Sequence, residues 1–176
     1  MRKIFGMMFG CAVLVSSCAP LSKEVMRQVD ETLTYQVVQK DLPKYMGKNV
    51  LWGGVIIETT NKQGETTLQI RQTGLDMEKR PKNLDSSAGR FLVRYAGFLD
   101  PAIYQAGREI TVGGQIVGVE TLPVGGIQYP FPVLLAKEIH LWEKIDPRGY
   151  YYPYWDYSPY WGPYGSPYWG RRPYYW

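Results

Sequence analysis

The chain holds one histidine and two cysteines in 176 residues, and it has no apolar run of the ~20 residues that a membrane-crossing helix requires. Each shortage removes a class of function. Cysteine-histidine and serine-histidine catalytic pairs would all have to share His140, which alternates with Glu138 and Trp142 on the side opposite Val133, Leu135, Ile139 and Leu141. That pattern places His140 on a surface. Ser86 and Ser87 lie beside Ala88-Gly89 in a polar loop, without the strand-turn-helix setting of a nucleophile elbow. Gly53-Gly54, Gly113-Gly114 and Gly125-Gly126 lack the lysine-serine or helix-opening context of a phosphate loop and read as bends. Asp76 and Glu78 are paired carboxylates of a kind that is common by chance. The expectation is a chain that is not an enzyme and holds no metal or cofactor.

A marked excess of one sign of charge is also lacking. Arg2 and Lys3 precede an apolar stretch, Ile4 to Val15, that ends in Ser16-Ser17-Cys18. This is the layout of a signal peptide, too short to remain as a span. Val15-Ser16-Ser17-Cys18 resembles the lipobox of bacterial lipoproteins. The resemblance implies a diacylglycerol on the Cys18 sulfur, cleavage before Cys18, and a further fatty acid on the freed amine, palmitate among these chains. Cys11 leaves with residues 1–17, and acylated Cys18 leaves no free thiol for a disulfide or a thiolate metal site. Ala19 follows, where an aspartate is the usual enterobacterial signal for inner-membrane retention, so the outer membrane is expected. The mature chain keeps 18 basic against 16 acidic side chains, and from Cys18 to Pro147 there are 15 of each. Such balance gives no broad footprint for nucleic acid or an anionic bilayer. The one dense basic run, Lys79, Arg80 and Lys82, flanks Pro81 and reads as a solvated loop.

Three regions follow the leader. Residues 18–34 comprise the lipid anchor and a short amphipathic helix, with Ser22 as N-cap, Glu24 in the first turn, and Val25, Val29 and Leu33 four residues apart. Residues 35–147 read as strands. Val50 to Thr60 is apolar on both faces, with a bend or bulge at Gly53-Gly54. Asn61 to Gly64 supplies a turn, and Leu68 and Ile70 then alternate with Thr67, Gln69 and Arg71. Phe91, Val93 and Tyr95 mark a third strand, and Asp100-Pro101 to Gly107 brackets one short helix. From Ile110 to Thr121 the apolar parity flips between Ile116 and Val117, which predicts a bulge, and Val133, Leu135, Ile139 and Leu141 share a face of the last strand. The predicted fold is mainly β: an OB-like five-stranded Greek-key barrel, with a short N-terminal helix and one short helix between strands 3 and 4. An immunoglobulin-like sandwich is the alternative, but it needs about seven strands.

Residues 148–176 are low-complexity Tyr, Trp, Pro and Gly, punctuated by Pro153-Tyr154-Trp155, Pro159-Tyr160-Trp161 and Pro167-Tyr168-Trp169. Proline at this frequency blocks helix and ladder alike, so a disordered, partly polyproline tail is expected. Its aromatics suit flat apolar faces such as sugar rings or a proline-lined groove; the alternative is an end that contacts nothing.

Trp52-Gly53-Gly54-Val55-Ile56, Arg80-Pro81, Ser87-Ala88-Gly89-Arg90-Phe91, Phe98-Leu99-Asp100-Pro101, Tyr129-Pro130-Phe131-Pro132-Val133 and Leu141-Trp142 stand in the order and spacing of one family. From the lipobox to Trp142 the chain resembles the Slp, or starvation-inducible lipoprotein, family of Gram-negative outer-membrane lipoproteins. The resemblance implies a lipid-anchored domain facing the periplasm, linked to starvation or acid stress, and it supplies no catalytic residues. Two readings of the role stand: a non-enzymatic envelope binding or structural protein, or a periplasmic module that takes a glycan or small molecule on the barrel face or the aromatic tail.

Overall fold

The computed structural model describes residues 20–144, so the leader, Cys18 and the aromatic tail lie outside the described residues. The described chain is mainly β. Helix α1 (Lys23–Gln28) and helix α2 (Tyr35–Lys40) precede a 3-10 turn at Leu42–Tyr45, and six strands follow: β1 (Asn49–Lys62), β2 (Glu65–Leu75), β3 (Pro81–Lys82), β4 (Arg90–Tyr95), β5 (Glu109–Val124) and β6 (Ile127–Leu141). β1, β2 and β4 pair antiparallel in sequence, β4 pairs parallel with β6, β6 pairs antiparallel with β5, and β5 pairs antiparallel with β1. The pairings therefore return to the strand from which they start. β3 adds two residues beside the end of β2.

Period-two alternation drives the strands inward. Leu68 and Ile70 of β2 are fully buried, as are Phe91 and Val93 of β4, while Thr67, Gln69 and Arg71 are half-exposed on the other face of β2. Val50, Trp52 and Ile56 of β1, Ile110, Val112 and Ile116 of β5 and Leu134 of β6 complete the core. Each such side chain contributes roughly 1.5 to 3 kcal/mol relative to an exposed one. A smaller cluster, Leu92, Phe131 and Val133 with Leu122, Val124 and Tyr129 against it, forms on the opposite face of the sheet.

The β5–β6 hairpin runs well past its neighbours, since β1 pairs with β5 only as far as Gln115 and β4 pairs with β6 only from Val133. Its turn is Gly125-Gly126, both at positive φ (54° and 87°), the conformation that two-residue hairpin turns demand. Pro123, Pro130 and Pro132 all lie in this protruding part.

Several local expectations are corrected. Residues 35–45 are helical rather than extended: Thr34 caps α2, and Tyr35 and Val38, three apart, bury one face of it against the core. Tertiary burial overrides the β-branched Val37-Val38 pair here. The N-terminal helix stops at Gln28, because Val29 turns extended (φ −83°, ψ 142°). Asp100 to Gly107 forms turns and no helix. The Asp100 carbonyl accepts from the Ile103 and Tyr104 N–H groups and its side chain from the Ala102 N–H, but a single turn does not meet the cost of helix nucleation.

Gly53 and Gly54 sit in regular register, and the irregularity falls between Ile56 and Glu58. Gly54 is needed for another reason, since a Cβ there would collide with the Arg71 carbonyl of β2. The parity flip at Ile116 coincides with a register shift between Ile116 and Gly118. A second shift, at Gly113/Gly114, leaves Lys137 extra on β6, so Leu134 and Ala136 join Ile139 and Leu141 at the core. Leu135 is therefore 40 % exposed, and Val133 belongs to the opposite cluster.

Candidate functional site

The segment next to the expected lipidation residue is fastened to the sheet. Ser22 donates its N–H to both carboxylate oxygens of Glu138 (2.9 and 3.1 Å) and its hydroxyl to one of them (2.7 Å), while its own Oγ accepts from the Val25 N–H to cap α1. A carboxylate at this helix start is favoured by the positive end of the backbone dipoles. Leu21 is 3 % exposed. Gly113 of β5 makes that packing possible, because a Cβ on it would stand within 3.1 Å of Leu21 and closer to Val25. Lys137 donates to the Gln28 side chain (2.6 Å), and the Asp30 N–H donates to the Asn49 carbonyl (2.9 Å). Residues 21–30 thus form a strap over β6, β5 and β1.

A trough occupies the other wall. Thr67, Gln69 and Arg71 of β2 lie directly across from Arg94, Leu92 and Arg90 of β4, and alternation puts all six on one face. One depression there, about 200 Å³, runs between the β1–β2 turn (Lys62, Glu65) and Glu120 and Leu122 of the hairpin. A second, about 410 Å³, is walled by Arg71, Arg90, Val124 and Tyr129. Arg94 and Glu120 form an ion pair across the strands, and Leu92 with the Phe131 cluster supplies an apolar floor. The lining mixes hydroxyl, amide, both charges and aliphatic surface, which suits a polar polymer better than a hydrophobic ligand.

Under α2 lies a cleft of about 230 Å³, lined by Tyr35, Trp52, Gln72, Asp76, Glu31 and Lys79 among others. Tyr35 donates to the Arg90 carbonyl (2.9 Å), packs edge-on against Trp52 (5.3 Å between ring centroids) and meets the Tyr129 hydroxyl at 3.4 Å. Burial, with the neighbouring Tyr129, lifts its phenol far above the ordinary tyrosine range. Trp52 donates to the Leu33 carbonyl (2.9 Å), fixing the segment between the helices.

The basic run is not a free loop. Lys79 pairs with Glu31 (2.6 Å), while half-buried Arg80 pairs with Glu109 (2.8 Å) and lies over the Trp142 ring (5.3 Å). Lys82 is exposed. His140 packs edge-on against Trp142 (4.4 Å), whose indole N–H donates to the Thr111 hydroxyl (2.9 Å). The alternation of His140 with Trp142 is visible in the sequence, whereas the other couplings are not, because they join residues 29 to 62 positions apart. Asp76 accepts the Arg80 N–H, and the Ser87 hydroxyl donates to the Gly89 carbonyl and accepts the Gly89 N–H. Among the described residues, no cluster of three His, Cys, Asp or Glu could hold a metal ion, and no helix is long and apolar enough to cross a membrane.

Comparison with known proteins adds identity to this geometry. The chain is 28% identical to outer membrane protein Slp of Escherichia coli K12 over 164 residues, 92% of this chain and 86% of that protein. It is 34% identical to the uncharacterized lipoprotein YeaY of the same organism over 104 residues, which is 57% of this chain and about half, 53%, of YeaY. An uncharacterized protein of Haemophilus influenzae is 31% identical over 116 residues, 65% of this chain and 63% of that protein. The family model matches residues 15–175, and so runs on through the Tyr/Trp/Pro segment, beyond the Trp142 limit of the motif resemblance. A match over nearly the whole length, from the residues before Cys18 to the penultimate one, places this chain in the outer membrane lipoprotein Slp family.

Proposed function

We propose that the mature protein begins at Cys18, carries its acyl chains there, and presents to the periplasm a non-enzymatic domain that binds an extended envelope glycan in the trough on β2 and β4. The observation that carries the reading is the open face between the β1–β2 turn and the β5–β6 hairpin. The circular pairing with one parallel contact, β4 to β6, supports an OB-like Greek-key arrangement, and by analogy of fold that face is where such domains take oligosaccharides and oligonucleotides. Glu58, Glu65 and Glu120 stand among Lys62, Arg71, Arg90 and Arg94, a nearly balanced lining without the basic excess that a nucleic acid backbone requires, and this favours the glycan. The reading divides the mature chain into an anchor and strap (18–34), the sheet domain (35–147) and an aromatic tail (148–176) that adds weak contacts to glycan or an envelope protein. A part in starvation or acid stress accords with the family.

Two experiments test it. Titrating the soluble, non-acylated chain with peptidoglycan fragments should shift the amide signals of Thr67, Gln69 and Arg94, and Arg94→Ala should weaken the shifts; a trough silent to every fragment would leave a purely structural role. Two or three acyl chains on one residue anchor firmly where one does not. Cys18→Ser should therefore release the protein or leave it unprocessed, and a cleaved variant that stays with the membrane would refute the acylation.

A further inference from the structure

We propose that the face built from α1 and the outer side of β5 and β6 rests against the lipid surface of the membrane, held by a tether too short to let the domain swing away. This rests on the acylation of Cys18 proposed above, and adds which side of the domain meets the bilayer. The length of the tether decides it. Only Ala19 and Pro20 separate Cys18 from Leu21, and three peptide steps span at most roughly 11 Å when fully extended. Leu21 is not part of that slack, being 3 % exposed and seated over Gly113. Ser22, next in line, is held by three hydrogen bonds to Glu138, 116 residues away in sequence. At the far end of the strap the Asp30 N–H is bound to Asn49 of β1.

Acyl chains buried in the hydrocarbon hold Cys18 at headgroup level, so the surface around Leu21 cannot stand farther off than the tether allows. The charges on that face fit the contact. Lys23, Arg27 and Lys137 are exposed there, interspersed with Glu24, Asp30 and the Ser22-bound Glu138, so the face carries no net charge that would hold it off the headgroups. Lysine and arginine so placed meet lipid phosphates. β2, which pairs with neither β5 nor β6, stands across the ring of pairings from them, so the β2 wall of the trough lies on the side away from the lipid.

The test uses the full-length acylated protein in vesicles of phosphatidylethanolamine and phosphatidylglycerol doped with a headgroup nitroxide lipid. Cys18 is the only cysteine of the mature chain and is blocked by acylation, so Lys137→Cys and Gln63→Cys each take one fluorophore, on β6 and at the β1–β2 turn. The label at 137 should be quenched several-fold more than the label at 63. Equal quenching at both overturns the proposal. A flexible 20-residue Gly-Ser insertion between Ala19 and Pro20 should leave flotation with the vesicles intact and abolish the difference. Persistence of the difference would show that the tether is not its cause, and overturn the proposal as well. Failure of the uninserted protein to float would instead refute the acylation, and this inference with it.

Discussion

A phenol buried as Tyr35 is must keep its proton for the fold to hold it. Its value in the folded state lies far above the ordinary tyrosine, first because it is buried and then because Tyr129 adjoins it. In the unfolded chain it ionises near pH 10. The contribution to stability is therefore whole below about pH 10 and shrinks as pH climbs from there toward the folded value. Tyr35→Phe should cost about 1 kcal/mol at neutral pH through the lost bond to Arg90, yet flatten the fall in Tm above about pH 10; an unchanged fall would acquit Tyr35. Ile70→Ala and Phe91→Ala should each cost about 2 to 5 kcal/mol in urea unfolding, and a change within about 0.5 kcal/mol would mean that their burial contributes nothing. Both positions were legible in the sequence, because alternation in β2 and β4 is uninterrupted. Leu135 was not, since the extra Lys137 inverts parity and only a register shift on the partner strand reveals it.

At the scale of elements, turns and caps were legible and tertiary docking was not. Ser22 announces α1 by its cap, and Gly125-Gly126, which reads only as a bend, is the turn of the β5–β6 hairpin. Nothing local tells that residues 35–40 wind into a helix under the core, or that Arg80 leaves its loop for Glu109 and Trp142. Gly113 shows the same limit. It reads as a bend, but serves as the floor on which Leu21 and Val25 sit. Gly113→Leu should consequently lift α1 without unmaking the sheet, costing about 1 to 3 kcal/mol and speeding amide hydrogen exchange across residues 23–30. Slow exchange retained in that variant would show that α1 is held by other contacts.

For the molecule as a whole, family membership and the mainly β class were legible because motif order survives where pairing details do not. The trough was not: its walls come from β2, β4 and the hairpin, and no single stretch of sequence carries its signature. The aromatic tail should be dispensable for folding and needed for contact. Truncation after Pro147 is expected to leave the Tm of the non-acylated chain nearly unchanged while lowering its retention on isolated cell-wall glycan, through lost avidity of repeated proline-aromatic units. A large drop in Tm would place the tail in the core instead.

Molecules fixed by lipid to one surface are crowded into two dimensions, where bare strand edges invite neighbours to add on. The protruding hairpin has two such edges, and its three prolines answer both. Pro132 faces Val119, Pro130 faces Thr121 and Pro123 faces Gln128, which are alternate positions of one register. In antiparallel pairing, residues of one such set turn their N–H groups outward, and proline has none to offer. An incoming strand would find a ladder with gaps, its donors missing at Pro130 and Pro132 on one edge and at Pro123 on the other. High lateral density can thus be tolerated without the copies knitting into a continuous sheet.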